Sequence, residues 1–261
     1  MYGAHEALEQ KHWWFNGRRK IVARIFETQV PTSSSTRILD VGCGTGGMFP
    51  LLQEFGHVEG AEFSADARAR AKRRFPHLAI HECVLPNELP EGQWDVVTAF
   101  DVIEHVDDAV SSLVSMRQRL KPGGTILVTV PAFEILWGRH DDLNHHKRRY
   151  TKSQLMQQLI AAGLATRFVS YFNTFLFPAA AAVRLLQRGL VSKAMGASEG
   201  ETGDLHEVWA PANRALVELF RLEANILTRW QFPFGLSLIA AATAVDSPKS
   251  KNCQKATIPA N

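Results

Sequence analysis

The sequence predicts an α/β protein whose mostly parallel sheet is covered by helices on both faces. Two observations predict it. From Arg37 onward short apolar runs alternate with helical stretches, the rhythm of βαβ units. The alternation is that of a parallel sheet covered on both faces. A glycine-rich bend, ILDVGCGTGG, follows the first run directly, at the strand end where such sheets hold ligands.

Taken in order, residues 5–29 read as a helix, because Leu8, His12, Phe15, Val22 and Phe26 recur at helical spacing. Pro31 and the run Thr32–Thr36 end it as a linker. RILDVG, HVEGAEF, LAIHECV, WDVVTAF and TILVTV are five strands. Between them fall helices up to Phe55, over Ser64–Phe75 and over Asp108–Leu120, and LKPGG is a sharp turn before the fifth strand. Residues 132–150 read as a polar loop, 152–162 as a helix capped by Thr151 or Ser153 and closed by Gly163, and 164–171 as a strand. Residues 175–191 are apolar with basic breaks, 194–206 loop-like, 211–230 an amphipathic helix with Pro211 in its first turn, and 235–244 a last strand. The expected division is 1–36 as helix and linker forming a lid, 37–171 as core, 172–233 as a helical insert, 234–246 as the last core strand and 247–261 as a disordered tail.

With 261 residues, 46% of them hydrophobic, the chain is long enough for a core without staples. A net charge of +3 gives no broad basic surface for nucleic acid. Cys43, Cys83 and Cys253 are too few and too scattered for a disulfide framework or a zinc set. The first residues lack a basic leader followed by an apolar stretch, and no apolar run reaches the ~20 residues of a membrane span. A cytoplasmic protein is expected, with peripheral membrane contact left open.

Asp40 ends the first strand, and Gly42, Gly44 and Gly46 follow at alternate positions. Glycines allow positive φ and let a ligand approach the backbone. Gly42, Gly44 and Gly47 also satisfy the dinucleotide pattern, so the loop alone fits a nicotinamide or flavin cofactor as well as S-adenosylmethionine. Asp40 decides between them on charge. It would attract an ammonium group and repel a pyrophosphate. Glu62, closing the second strand, can accept both hydroxyls of a ribose and serves either cofactor.

Together with WDVVTAFDVIEHVDD and LKPGGTILVTVP, these landmarks resemble the class I S-adenosylmethionine-dependent methyltransferases over residues 37–171. The resemblance implies a Rossmann-like, three-layer, seven-stranded sheet whose last strand runs antiparallel between two others. It implies S-adenosylmethionine as cofactor, with Asp40 and the backbone of Gly42, Cys43 and Gly44 at its methionine end and Gly46 close by. Glu62 would bind the ribose and Phe63 would pack on the adenine. The family's acid after the third strand is replaced by Cys83, beside Glu82, which leaves the Val84 backbone as an adenine contact. Phe100 and Asp101 would lie beside the sulfonium, and His105 would touch cofactor or substrate.

The segment WGRHDDLNHHKRRY (137–150) follows the fifth strand and so lies over the ligand edge. With HWWFNGRR (12–19) it resembles a bacterial subgroup acting on small molecules. A hydroxyl acceptor needs a base, and an imidazole with pKa near ~6.5 suits that task. His140 and then His145 are the candidates, with Asp141 orienting one of them. Arg148 and Arg149 would bind an anionic group, with Tyr150 beside them. Trp13 and Trp14 would close over the site and exclude water. No metal is assigned, although His140, Asp141 and His145 could ligate one.

The insert 172–233 suggests a cap, a homodimer contact or a membrane-surface contact; an apolar cap would favour a greasy or lipid-like acceptor. The function expected is O-methylation of a small or lipid-like molecule. A non-catalytic S-adenosylmethionine-binding protein and a nicotinamide-dependent oxidoreductase are the alternatives.

Overall fold

Four of the five residues of β1 (Arg37–Val41) are buried in succession, because this strand lies mid-sheet with both faces covered. The computed structural model describes residues 11–191 and 209–245. Around β1 the strands β2 (His57–Glu62), β3 (Ile80–Glu82), β4 (Trp94–Phe100), β5 (Leu120–Pro131), β6 (Leu164–Phe172) and β7 (Ser237–Ala244) form one seven-stranded sheet in the order β3-β2-β1-β4-β5-β7-β6. The first five run parallel to one another, and β7 runs antiparallel to both β5 and β6. This is the sheet expected from the sequence.

The helices form the outer layers. On one face lie α1 (Trp13–Gln29), the single turn α2 (Phe49–Leu52) and α8 (Ala210–Leu227). They pack a core of Ile21, Ile25, Phe26, Phe49, Phe172 and Phe220. On the other face α4 (Ala109–Gln118) and α6 (Lys152–Ala161) enclose Trp94, Leu113, Met116, Leu155 and Leu159. Local signals start and stop them. Ser64 caps α3 (Ala65–Arg74), which carries Lys72, Arg73 and Arg74 in its last turn, where cations oppose the carbonyl end of the dipole. Asp108 caps α4. Thr151 and Gln154 form a capping box on α6, and Gly163 turns the chain away at φ 74°.

Several elements differ from the sequence expectation. LKPGG does not stand outside the fifth strand as a turn. It lies within β5 as an irregularity, where the register jumps from Trp94↔Leu120 to Val96↔Thr125 and Gly123 takes φ 77°. The third strand shrinks from LAIHECV to three residues. The polar loop contains a 3-10 turn (Glu134–Leu136) and a short helix α5 (Arg139–Leu143). Within 172–233 the described residues form α7 (Phe177–Val191) and α8. The loop at 194–206, the tail from 247 and Cys253 lie outside the described residues. Cys43 and Cys83 are free and buried. No described helix is long and apolar enough to cross a membrane.

Candidate cofactor and acceptor site

The carboxyl ends of β1, β2, β4 and β5 open on one edge, where Asp40, the glycine bend, Glu62 and Asp101 lie. Asp40 sits level with Thr98 of β4 and is buried at 2% exposure. The Thr98 hydroxyl donates to its Oδ1 at 2.7 Å. Burial pushes the Asp40 carboxyl up to about 7, against the hydrogen bond from Thr98 and the positive charge of Arg18.

The bend after β1 turns through three left-handed glycines, Gly42 at φ 70°, Gly44 at 55° and Gly46 at 83°. Two of these are packed from behind. A β-carbon on Gly42 would meet Val102, and one on Gly46 would meet Phe49 and Phe75. A β-carbon on Gly44 would meet nothing within 4 Å, so this glycine faces open space. Its amide donates to Glu62 Oε2 at 2.9 Å, and the amide of Ser64 donates to Oε1 at 2.8 Å. The Glu62 carboxylate is thereby fixed beside the open position.

The next residue, Phe63, is 70% exposed, an aromatic face with nothing packed on it. Cys83 is buried, and burial first and Glu62 second push its thiol up to about 12; the Cys43 thiol is pushed up in the same way. The Val84 amide already donates to the Glu88 carbonyl at 2.9 Å, so it is not open to an adenine ring. Phe100 is packed in the core beside α1 and α8.

Asp101 is a non-glycine residue at φ 56°. Its strain is held by three bonds to β5. Its amide donates to Thr129 O at 3.0 Å and Oγ1 at 3.1 Å, and the Thr129 hydroxyl donates to its Oδ1 at 3.0 Å. Arg18, reaching over from α1, donates to Asp101 Oδ2. The N-terminal helix thus reaches Asp101 through Arg18. Trp13 and Trp14 pack instead on the helical layer: Trp14 stacks on Phe172 at 6.3 Å, and Trp13 lies 5.9 Å from Phe220.

The polar loop is organised around Asp141, which is fully buried. Arg149 grips it with two parallel bonds of 2.8 and 3.0 Å, His146 Nδ1 lies 2.8 Å from Oδ1, and the Gly138 amide donates at 2.8 Å. Burial opposes the charge, but the bonds from His146 and Arg149 outweigh it and hold the carboxyl well below the usual range. Arg184 of α7 lies 3.6 Å away and also donates to the Leu136 carbonyl.

The histidine that Asp141 orients is therefore His146, not His140 or His145. His140 stands on α5 within 3.3 Å of Asn144 Nδ2, and His145 is exposed at φ 55°. The residues expected at an anionic substrate are spent inside the loop. Arg149 is buried on Asp141 and also donates to Ala132 O at 3.0 Å. Arg148 donates to the carbonyls of Val106 and Asp107 at 2.8 and 2.9 Å, and Tyr150 is buried with its hydroxyl 3.4 Å from the Ile103 carbonyl.

His146 meets His105, the two rings 4.7 Å apart edge to face. Burial and the neighbouring His146 lower the His105 imidazole below its ordinary pKa. Beside them Glu104 is completely buried, and neither carboxylate oxygen has a hydrogen-bond partner. Burial, then the negative Asp101, push Glu104 well above the usual carboxylate range. Sequence reasoning missed Arg18, Glu104 and His146. EHV and the adjacent pair His145–His146 were in view, but spacing alone does not say which histidine turns inward.

Comparison with known proteins points to a methyltransferase domain. A family model described as a methyltransferase domain matches residues 11–167. A probable S-adenosylmethionine-dependent methyltransferase of Mycolicibacterium smegmatis is 28% identical over 160 residues, covering 60% of this chain and 61% of that protein. A ubiquinone biosynthesis O-methyltransferase of Aeromonas salmonicida is 27% identical, covering 63% of this chain and 81% of that protein. The chain spans about three fifths of the length of the first of these relatives. Among solved structures, a putative methyltransferase of Haloferax volcanii in complex with the Trm112 methyltransferase activator superposes with a TM-score of 0.59 at 17% identity, covering 93% of this chain and 94% of that one. With the sheet order, the glycine bend and the matched span in agreement, the chain belongs to the methyltransferase domain family, whose cofactor is S-adenosylmethionine.

Proposed function

We propose that the protein transfers a methyl group from S-adenosylmethionine to an oxygen of a small or lipid-like acceptor. One observation carries the cofactor choice. A buried acid, Asp40, with no ion pair among the described residues, ends the strand before the bend, and the left-handed bend glycine that faces open space, Gly44, is bonded to Glu62 at 2.9 Å. A dinucleotide would bring a diphosphate to that acid. The amino-acid end of S-adenosylmethionine brings an ammonium group.

The residues present fit the cofactor. Asp40 takes the ammonium as a carboxylate, the Gly44 backbone allows close approach, Glu62 has lone pairs left for two ribose hydroxyls, and the exposed Phe63 ring offers a face for the base. When bound, the sulfonium supplies a methyl group that is already electrophilic. What the chain must add is alignment, worth up to about 7–11 kcal/mol in well-oriented systems. Asp101, fixed by Thr129 and Arg18, and the pair His105–His146 border the position an acceptor would take. His146, oriented by Asp141, is the group placed to receive a hydroxyl proton. The similarity to a ubiquinone biosynthesis O-methyltransferase supports a small-molecule acceptor and transfer to oxygen.

Calorimetric titration of the purified protein with S-adenosylhomocysteine, NAD and FAD in parallel tests the reading. Binding of the first alone is expected, with loss in Glu62→Ala. Binding of NAD or FAD in its place overturns the proposal. Release of S-adenosylhomocysteine during incubation with candidate phenols and acids separates an enzyme from a non-catalytic binding protein.

A further inference from the structure

Glu104, His105 and His146 bring one carboxylate oxygen and two imidazole nitrogens to within 4.8 Å of one another. Donors bound to one cation at ~2.1 Å sit roughly 3.4 Å apart, so small side-chain rotations would close the set. Three features show that it is built rather than incidental. The first is Glu104, fully buried with both oxygens unpartnered. A buried polar group without a partner is costly, and a bound ion is one of the standard ways to satisfy it. The two guanidinium groups whose charge reaches it are bonded elsewhere, Arg18 to Asp101 and Arg149 to Asp141.

The second is the support behind each imidazole. Ligand histidines use their other ring nitrogen to hold a carboxylate or a backbone carbonyl. His146 has Nδ1 on Asp141 Oδ1 at 2.8 Å, and the backbone of Asn144 and His145 lies against the His105 ring. The third is the way both strand ends are tied together here, since Lys147 N donates to the Glu104 carbonyl at 2.8 Å. The loop after β5 is thereby pinned to the turn after β4, so the three donors come from segments that cannot drift apart.

We propose that Glu104, His105 and His146 form a divalent-cation site at the acceptor edge of the sheet. Two nitrogens and one carboxylate suit a first-row transition cation such as Zn2+ rather than Mg2+, which prefers oxygen donors. Three protein ligands leave room for an oxygen of the acceptor, as in open catalytic zinc sites. In the loaded state His146 is a ligand, and the cation takes over the task of making an acceptor hydroxyl more acidic. That acceptor role rests on the proposed methyl transfer; cation binding itself does not.

The test uses the full chain stripped with EDTA and dialysed against Zn2+ or Mg2+. One equivalent of Zn2+ is expected to bind and Mg2+ is not. Glu104→Gln, His105→Ala and His146→Ala are each expected to weaken Zn2+ by at least the roughly 10–100-fold seen on losing a supporting residue, while His57→Ala leaves the stoichiometric site intact. Should Glu104→Gln not fold, Co2+ loaded into the unaltered protein decides. Ligand-field bands without a thiolate charge-transfer band are expected, and a thiolate band would place the ion on cysteine and overturn the proposal. No stoichiometric Zn2+, or equal Zn2+ affinity in folded His146→Ala, also overturns it. The same samples are titrated with S-adenosylhomocysteine. If it binds and Zn2+ does not, the cation site alone fails; if Zn2+ binds and it does not, the methyltransferase reading fails and the site stands.

Discussion

The role proposed for Asp40 opposes its burial. Its carboxyl is raised to about 7 by burial, so the fold carries it without penalty in acid and increasingly at a cost as pH rises from the unfolded Asp value near ~3.9 towards 7. We expect Asp40→Asn to raise the melting temperature at pH 8, with a gain on the order of 2–4 kcal/mol, and to weaken S-adenosylhomocysteine binding at least tenfold. Binding to the unaltered protein should strengthen as pH passes upward through 7, because the ammonium selects the ionised acid. Calorimetry in buffers of differing ionisation enthalpy should then show proton release below pH 7. Gly44→Ala separates ligand space from packing. Its β-carbon meets no atom, and the left-handed backbone costs about 1–2 kcal/mol. The variant should fold, by circular dichroism, and lose most affinity for S-adenosylhomocysteine.

The N-terminal helix shows how a single absent side chain sets an interface. A β-carbon on Gly17 would lie 2.5 Å from the Phe220 ring of α8. Alanine normally strengthens a helix by about 1 kcal/mol over glycine; overpacking costs about 1–3 kcal/mol. Gly17→Ala should therefore lower the midpoint of urea unfolding, and adding Phe220→Leu should restore it. In the loop after β5, Asp141→Asn leaves Arg149 buried without its counter-charge. A loss of about 3–5 kcal/mol is expected, read as a fall in the unfolding midpoint. The βα alternation, the cap at Thr151 and the glycine bend were legible in the sequence, because each depends on a local pattern. The inward turn of His146 and the isolation of Glu104 were not. They follow from three segments meeting in space, which no spacing records. LKPGG misled for the opposite reason: its local signal is a turn, and the β4 ladder absorbed it.

At the scale of the molecule, the proposed cofactor edge draws on β1, β2 and β4 together with α1, so ligand binding should be felt by the whole cooperative unit. Saturation with S-adenosylhomocysteine at a hundred times its dissociation constant stabilises by about 2.7 kcal/mol, equivalent to a shift of roughly 5–11 °C for a domain of this size. Differential scanning fluorimetry reads it directly, and Glu62→Ala should show little of the shift. The position of β7 has a further consequence. It is the last strand in sequence order, yet it lies between β5 and β6. Until it arrives, β6 has no neighbour to pair with and β5 presents a bare edge, the kind of template on which chains stick to one another. Assembly on the ribosome would then halt at a five-stranded stage and finish in a single late insertion that zips both borders at once. Mutations that slow that insertion should show up as poor yield in the cell long before they change the finished protein.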